Sequence, residues 1–334
     1  MAQRPTIIDV ARQAGVSKST VSRVLQGDGP VSQQSQAAVW QAIATLGYEH
    51  NTVASSLRTD RTWTIMLSTP DITNPFWATV ARGVQDTMEA AGYSVVLANS
   101  DWDANRERLF LRTARRNRFD AILINPTAVS QQELLATGVP VVLLGMRTDL
   151  TSFDNVGSDS YNGVQQALNH LYDLGHRRIG FIRGQHKSGR GLARQRAYQD
   201  FLQHYGLPVE PDLVVAVPYE LAQGHAAAQQ LLTRATPPTA IFAGNDLLAI
   251  GAMHAAHELG FAIPSDLSII GLDDIPAAAM TLPGLTTVAK PKYAIGQQAA
   301  TFLLERLAGT APIEPRRLLL PCQLVVRGST APPG

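Results

Sequence analysis

Thr6-Ile7-Ile8-Asp9-Val10-Ala11-Arg12-Gln13-Ala14-Gly15-Val16-Ser17-Lys18-Ser19-Thr20-Val21-Ser22-Arg23-Val24-Leu25 reads as two short helices broken at one glycine, each with its own start signal. Thr6 and Asp9 fit a capping box, in which each side chain satisfies an orphan backbone N–H at a helix start. The first helix therefore begins at Ile7. Gly15 falls where the chain must turn, and a residue without Cβ reaches the left-handed conformation at little cost. Ser17 caps the second helix. On it Val21, Val24 and Leu25 form an apolar stripe at helical spacing, which leaves Lys18, Ser19, Ser22 and Arg23 outward. Ser32 caps a third helix, Gln33 to Leu46, which stops at Gly47. Such a helix-turn-helix is the shape that enters a DNA major groove. Capped helix pairs also occur in bundles that never touch DNA, so the pair alone leaves both readings open.

The longer string decides between them. Asp9-Val10-Ala11, Ala14-Gly15-Val16-Ser17 and Thr20-Val21-Ser22-Arg23-Val24-Leu25 closely resemble the headpiece of the lactose-repressor (LacI/GalR) family of bacterial transcription regulators. The resemblance continues through Leu46-Gly47-Tyr48 and through Asn51-Thr52-Val53-Ala54-Ser55-Ser56-Leu57-Arg58, which matches the family's hinge segment. It implies that Lys18, Ser19 and Arg23 read base edges. Thr6, Ser17, Thr20, Ser22 and Tyr48 are placed for the backbone, and Asn51, Ala54, Leu57 and Arg58 belong to the hinge. In the family two hinge helices pair in the minor groove and a leucine enters between base pairs, the place that Leu57 takes here. The hinge is shorter than the roughly 12 residues at which isolated helices become marginal in water, so it is expected to fold only when bound.

Composition excludes several classes. The chain has 334 residues, 45% hydrophobic and 16% charged, enough to bury a sizeable core over two or three domains. No apolar run reaches the length of a membrane span, and the amino terminus lacks a secretory apolar region, so the expected location is the cytoplasm, nucleoid-associated when bound to DNA. Cys322 is the sole cysteine, expected as a buried inert thiol. Residues 1–62 carry a net +2 and the remainder −1. Nonspecific DNA affinity scales with the phosphates neutralised, so one headpiece binds poorly and a homodimer on a palindromic operator is implied.

From Trp63 onward, short β-rich runs alternate with helical segments. The strand candidates are 64–69, 94–99, 121–125 and 141–144, then 179–183, 214–217, 240–243 and 268–272. Helices are expected at 76–91, 105–117, 161–174, 191–205, 224–234 and 247–259. This alternation indicates parallel sheets with helices on both faces, and two series indicate two lobes. The fold class is therefore α/β: a three-helix helix-turn-helix headpiece with a hinge helix, followed by a two-lobed domain like the periplasmic binding proteins. The expected domains are a headpiece at 1–50, a hinge and linker at 51–62, and an effector and dimerisation domain at 63–334. Within the last, lobe 1 covers about 63–159 and 292–320, and lobe 2 about 160–290 with the C-terminal strand.

Ligands of open α/β sheets bind beyond the carboxyl ends of strands. Those positions hold Asp71, Asn74, Phe76, Trp77, Asn125, Tyr219, Asn245 and Asp273, with Arg190 and Arg194 opening a helix. Amides, carboxylates, arginines and flat aromatics suit a polyhydroxylated ring, although each one singly also fits a turn or cap. The family resemblance extends here through Asn74-Pro75-Phe76, Leu174-Gly175-His176, Gly244-Asn245-Asp246, Gly271-Leu272-Asp273-Asp274 and Leu285-Thr286-Thr287-Val288. It implies a small effector, most often a sugar or sugar derivative and sometimes a purine, that changes the lobe angle and so the pairing of the hinges. Arg194, Tyr219, Asn245 and Asp273 match effector contacts of the family, facing Asn74, Phe76 and Trp77. Gly145-Met146 and Lys187-Ser188-Gly189-Arg190 depart from its pattern, so effector identity does not transfer. The resemblance also places the dimer interface on 74–91 and 105–117, where the apolar stripes equally suit intramolecular packing.

Other chemistries find little support. The glycines from Gly184 to Gly191 complete neither a phosphate loop nor a dinucleotide fingerprint. His254 and His257 lie three apart on a helix without a third ligand nearby, so no metal is expected, and no cofactor. No nucleophile motif appears, and no enzyme activity is expected. The rival readings are a two-lobed sugar-binding protein without regulatory role and an α/β sugar-modifying enzyme.

Overall fold

The computed structural model describes residues 5–26, 29–48, 61–185 and 192–334. The hinge residues Asn51, Ala54, Leu57 and Arg58, and Arg190 of the effector set, lie outside them. The chain divides into two compact units, Met1–Thr62 and Trp63–Gly334.

The first unit holds α1 (Ile7–Ala14), α2 (Lys18–Gln26) and α3 (Gln33–Leu46). The capping box forms: Thr6 N donates to the Asp9 carboxylate at 2.9 Å, and Asp9 N donates to Thr6 Oγ1 at 3.4 Å. Gly15 ends α1 at φ 65°, and its N–H turns back to the carbonyls of Ala11 and Arg12. Thr20 N donates to Ser17 Oγ at 3.1 Å, which starts α2. Val10, Ala11, Val21, Val24, Val39, Ala42 and Tyr48 close a small core.

The second unit contains two six-stranded sheets. The first has the order β11-β5-β4-β3-β1-β2, with β1 (Thr64–Thr69), β2 (Ser94–Asn99), β3 (Ala121–Ile124), β4 (Val141–Leu144), β5 (Asp154–Ser158) and β11 (Arg317–Leu320), all parallel. Helices α4 (Pro75–Ala90), α5 (Ala104–Arg116), α6 (Gln131–Leu135) and α12 (Lys292–Ala308) accompany it. The second has the order β12-β10-β9-β8-β6-β7, with β6 (Ile179–Gly184), β7 (Val214–Val217), β8 (Ala240–Ala243), β9 (Ser268–Asp273), β10 (Thr286–Ala289) and an antiparallel β12 (Gln323–Val325). It carries α7 (Ser160–Asp173), α8 (Leu192–His204), α9 (Leu221–Leu232), α10 (Asp246–Glu258) and the short α11 (Pro276–Met280). Strands such as Ala240–Ala243 are buried along their whole length, as expected of parallel sheets covered on both faces.

The chain passes between the lobes after β5, after β10 and after β11. All three crossings leave from one edge, where β5 and β11 face β10 and β12, so β2 and β7 stand at the opposite edge. One helix contact in each lobe depends on glycine. A Cβ at Gly296 of α12 would sit 2.1 Å from Val80 O of α4, and one at Gly251 of α10 would sit 2.1 Å from Leu221 O of α9. The apolar stripe of α4 is used here, inside the lobe.

Strands β5, β10 and β11 and helices α6, α11 and α12 have no counterpart in the sequence-based assignment. β5 reads Asp-Asn-Val-Gly-Ser, a loop-like composition, because its leading carboxylate is buried as an ion. Arg306 and Arg316 each reach Asp154 at 2.8 Å, and although burial pushes the carboxyl's pKa up, the two guanidiniums hold it below the usual carboxylate value.

Candidate functional site

A cleft of about 440 Å³ opens between the lobes, and every strand of both sheets except the antiparallel β12 supplies its lining from the carboxyl end. That follows from the topology: parallel strands present helix N-termini and turn residues at one end of the sheet. The structure brings eight of the ten sequence-predicted effector residues to this wall: Asn74, Phe76, Trp77, Asn125, Arg194, Tyr219, Asn245 and Asp273. Asp71 does not line it. Its carboxylate accepts from Thr73 N at 2.9 Å and Thr73 Oγ1 at 2.6 Å, the local turn that short acidic side chains favour. Arg190 lies outside the described residues.

Three of the wall's amides are fixed by backbone work. Asn74 caps α4 by accepting from Phe76 N at 2.9 Å, and Asn245 caps α10 by accepting from Leu248 N at 2.9 Å. Asn125 donates to Leu144 O. Arg194 donates to Gly244 O at 2.9 Å and to the Tyr219 hydroxyl. These bonds orient the side chains before any ligand arrives.

At the floor, Asp273 stands at φ 125°, a backbone conformation that few L-residues adopt. Its carboxylate lies 3.1 Å from the Lys290 ammonium, both side chains 7% exposed. Apart from this ion pair, Asp273 Oδ1 has no hydrogen-bond partner among the described residues. Lys290 also stands 4.6 Å from the Phe76 ring centroid, and burial lowers its pKa against the opposing pull of Asp273. Lys292 holds the same turn by donating to the carbonyls of Asp273 and Asp274 at 2.6 and 2.7 Å. Beneath the wall, Asp246 accepts from Ile275 N at 2.8 Å and from the Thr287 hydroxyl. Burial, then the neighbouring Asp273 charge, raises its carboxyl to about 7.

The lining also contains residues that the sequence reading missed, chiefly Lys290, Trp102, Arg147, Ser158, Asp159 and Tyr161. Trp102 follows a recognised strand, so the same strand-end rule reaches it. Lys290 follows β10, whose strand character went unread. Gly145 and Met146, where the family pattern breaks, also face the cleft. Arg147 is paired with Asp149, its Nε donating at 2.7 Å. Among the described residues, the wall thus sets Arg147, Arg194 and Lys290 against Asp159, Asp273 and the adjoining Asp149, a balanced charge.

On the headpiece, Ser17, Lys18, Ser19 and Arg23 are exposed, as is the capping residue Thr6, while Thr20 and Ser22 are half-buried. Tyr48 is 9% exposed and its ring belongs to the small headpiece core. His254 and His257 are exposed on α10, and no group of three metal-ligating side chains occurs among the described residues. Cys322 is buried. No helix among the described residues is long and apolar enough to cross a membrane.

Comparison with known proteins separates the same two units. Residues 6–51 match the model of bacterial regulatory proteins of the lacI family, and residues 168–330 match a periplasmic binding protein-like domain. Catabolite control protein A of Priestia megaterium is 35% identical over 329 residues, 97% of this chain and 99% of its own. The HTH-type transcriptional repressor PurR of Yersinia pestis is 33% identical over 331 residues, covering 98% and 97%. Among solved structures, the lac repressor dimer bound to operator and the anti-inducer ONPF aligns at TM-score 0.87, 25% identity, over 98% of this chain and 100% of its own. A complex of the transcriptional regulator CelR with cellobiose aligns at TM-score 0.74, 31% identity, with the same coverage.

Proposed function

The chain belongs to the LacI family of bacterial regulatory proteins, and from that premise we propose that its affinity for a palindromic operator is set by a small, uncharged sugar or sugar derivative held between the two lobes. The protein is a DNA-binding transcriptional regulator. In the proposed mechanism α2 reads base edges through Lys18, Ser19 and Arg23, while the cleft sets the spacing of the two hinge segments. Action on operator DNA places it in the cytoplasm, at the nucleoid when bound.

The observation that carries the effector reading is the Asp273–Lys290 pair. A hydroxyl at the cleft floor donates to the Asp273 carboxylate and accepts from the Lys290 ammonium, and adjacent hydroxyls of one sugar ring engage both groups at once. The Phe76 and Trp77 rings, 5.0 Å apart and perpendicular, offer the apolar face that a sugar's C–H side requires. Balanced wall charges favour a neutral ligand, since a net charge there would go unpaired in a half-enclosed site. Lys290 opens the interlobe crossing that follows β10, whereas Asp273 ends β9 inside lobe 2, so a ligand that grips both ties that crossing to the second lobe.

Homodimerisation has its own support. Val96 and Leu97 on the edge strand β2 are 41% and 48% exposed, and Leu109 on the neighbouring α5 is 49% exposed. Met280 and Leu282, at 77% and 97%, form a second exposed apolar site beside α11. Large apolar side chains left exposed on an edge strand and a helix suit contact with a second copy of the chain. A thermal-shift screen of sugars, sugar phosphates, sugar acids and purines, followed by operator binding with each hit, tests the reading. Neutral sugars alone should stabilise the protein and change operator affinity. Hits confined to charged ligands or purines would overturn it.

A further inference from the structure

The edge strands β2 and β7 stand opposite the three interlobe crossings, so whatever follows them guards the open mouth of the cleft. Trp102 follows β2 and Tyr219 follows β7. Their rings meet across the two lobes at 6.1 Å between centroids and 37° between planes, and both line the cavity.

Both jaws are held in place. Tyr219 lies flat on Gly184 at the end of β6, where a Cβ would fall 2.0 Å from its Cζ, so only glycine permits this position. Arg194 anchors the hydroxyl, with its guanidinium 5.5 Å from the ring centroid. On the other side Asp101 and Trp102 are consecutive left-handed residues at φ 48° and 58°, a conformation costly to non-glycine residues. The turn is fixed from both ends. Asn99 Nδ2 and Arg106 donate to the Asp101 carboxylate, and Asp103 caps α5 by accepting from Asn105 N at 2.6 Å. A bulky indole held so unfavourably, over the cleft rather than in the core, marks a functional placement.

We propose that Trp102 and Tyr219 form a clasp across the mouth of the cleft, and that Trp102 thereby limits the effector to sugars of one or two rings. This rests on the reading of the cleft as the sugar site. Face-to-face stacking needs about 3.5–4 Å on each side of an inserted ring, so a sugar does not fit between rings whose centroids are 6.1 Å apart. The effector therefore lies wholly beneath the clasp. The half-enclosed cleft has a volume of about 440 Å³, roughly that of 15 waters at ~30 Å³ each. At the roughly 0.75 packing density of protein interiors, that space is filled by about two pyranose rings. A third ring has to pass through the clasp.

The test measures binding of glucose, the cello-oligosaccharides and the malto-oligosaccharides of two to four units by calorimetry, for full-length wild type, Trp102→Ala and Trp102→Phe. Wild type should bind within the one- and two-ring members only. Trp102→Ala should weaken that binding about tenfold, the value of one good aromatic contact, and acquire binding of the three-ring homologue; Trp102→Phe should stay near wild type. Wild-type binding of a trisaccharide, or a Trp102→Ala profile equal to wild type, overturns the clasp. If wild type binds no sugar in the panel, the clasp is judged without ligand. Amide exchange over residues 217–221 should then rise at least severalfold in Trp102→Ala, and unchanged protection there overturns it.

Discussion

Replacing Lys290 with methionine removes the ammonium and keeps most of the volume, so the loss isolates the charge that Asp273 is left without. Asp273 is 5% exposed and, among the described residues, its Oδ1 has no other partner to fall back on. Removing one partner of a buried pair costs about 3–5 kcal/mol, because the remaining charge stays desolvated. The site borders a cleft that admits water, which places the expected loss at the lower end, about 3 kcal/mol. For a unit of this size each kcal/mol moves Tm by about 2–4 °C, so Lys290→Met should melt roughly 6–12 °C lower. Asp273→Asn removes the orphaned charge, and the double variant should therefore recover about 1–3 kcal/mol relative to the sum of the single losses. Guanidinium denaturation of the four proteins measures this cycle. Additivity within about 0.5 kcal/mol would refute the claim that the two side chains act as a pair.

Three further outcomes follow from the same structure. Asp246 binds a proton in the native state up to about pH 7, against an ordinary carboxyl value of 3.8, so the native state holds more protons than the unfolded chain between those values. Stability should therefore fall as pH rises through that window, by at most ~1.4 kcal/mol per unit, and Asp246→Asn should flatten the slope; an unchanged slope in the variant assigns it to another group. Gly296→Val places a side chain 2.1 Å from Val80 O and should destabilise the α4–α12 contact by about 3 kcal/mol or prevent folding, whereas a wild-type melting curve contradicts the packing. Alanine at Lys18 or Arg23 should relax sequence preference in a competition of operator variants; a uniform loss over all sequences would make either residue a phosphate contact instead.

What the sequence discloses depends on how far apart the interacting residues lie. The headpiece is legible because its signals are local: Thr6 bonds to Asp9 three residues on, Ser17 to Thr20, and Gly15 turns back to Ala11 and Arg12. The wall residues were found through one rule about strand ends, which succeeds wherever the strand itself is apolar enough to recognise. It fails at β5, where Asp154 makes strand sense only once Arg306 and Arg316, more than 150 positions away, are folded against it. It fails at Lys290 for the same reason, since β10 is short and threonine-rich. Asp71 shows the opposite error, a carboxylate in a promising position that a turn two residues long consumes. Trp102 was within reach of the rule, but nothing local reveals that Tyr219 faces it.

The central claim is that ligand held by the Asp273–Lys290 floor controls the grip on DNA. The direct measurement is operator affinity of wild type and Asp273→Asn, with and without a neutral sugar that raises the wild-type melting temperature. The account predicts equal operator affinity for both proteins without sugar, a change of about 5- to 150-fold for wild type when the sugar is added, and no change for Asp273→Asn. A wild-type affinity indifferent to every stabilising sugar, or a full response in Asp273→Asn, would contradict it.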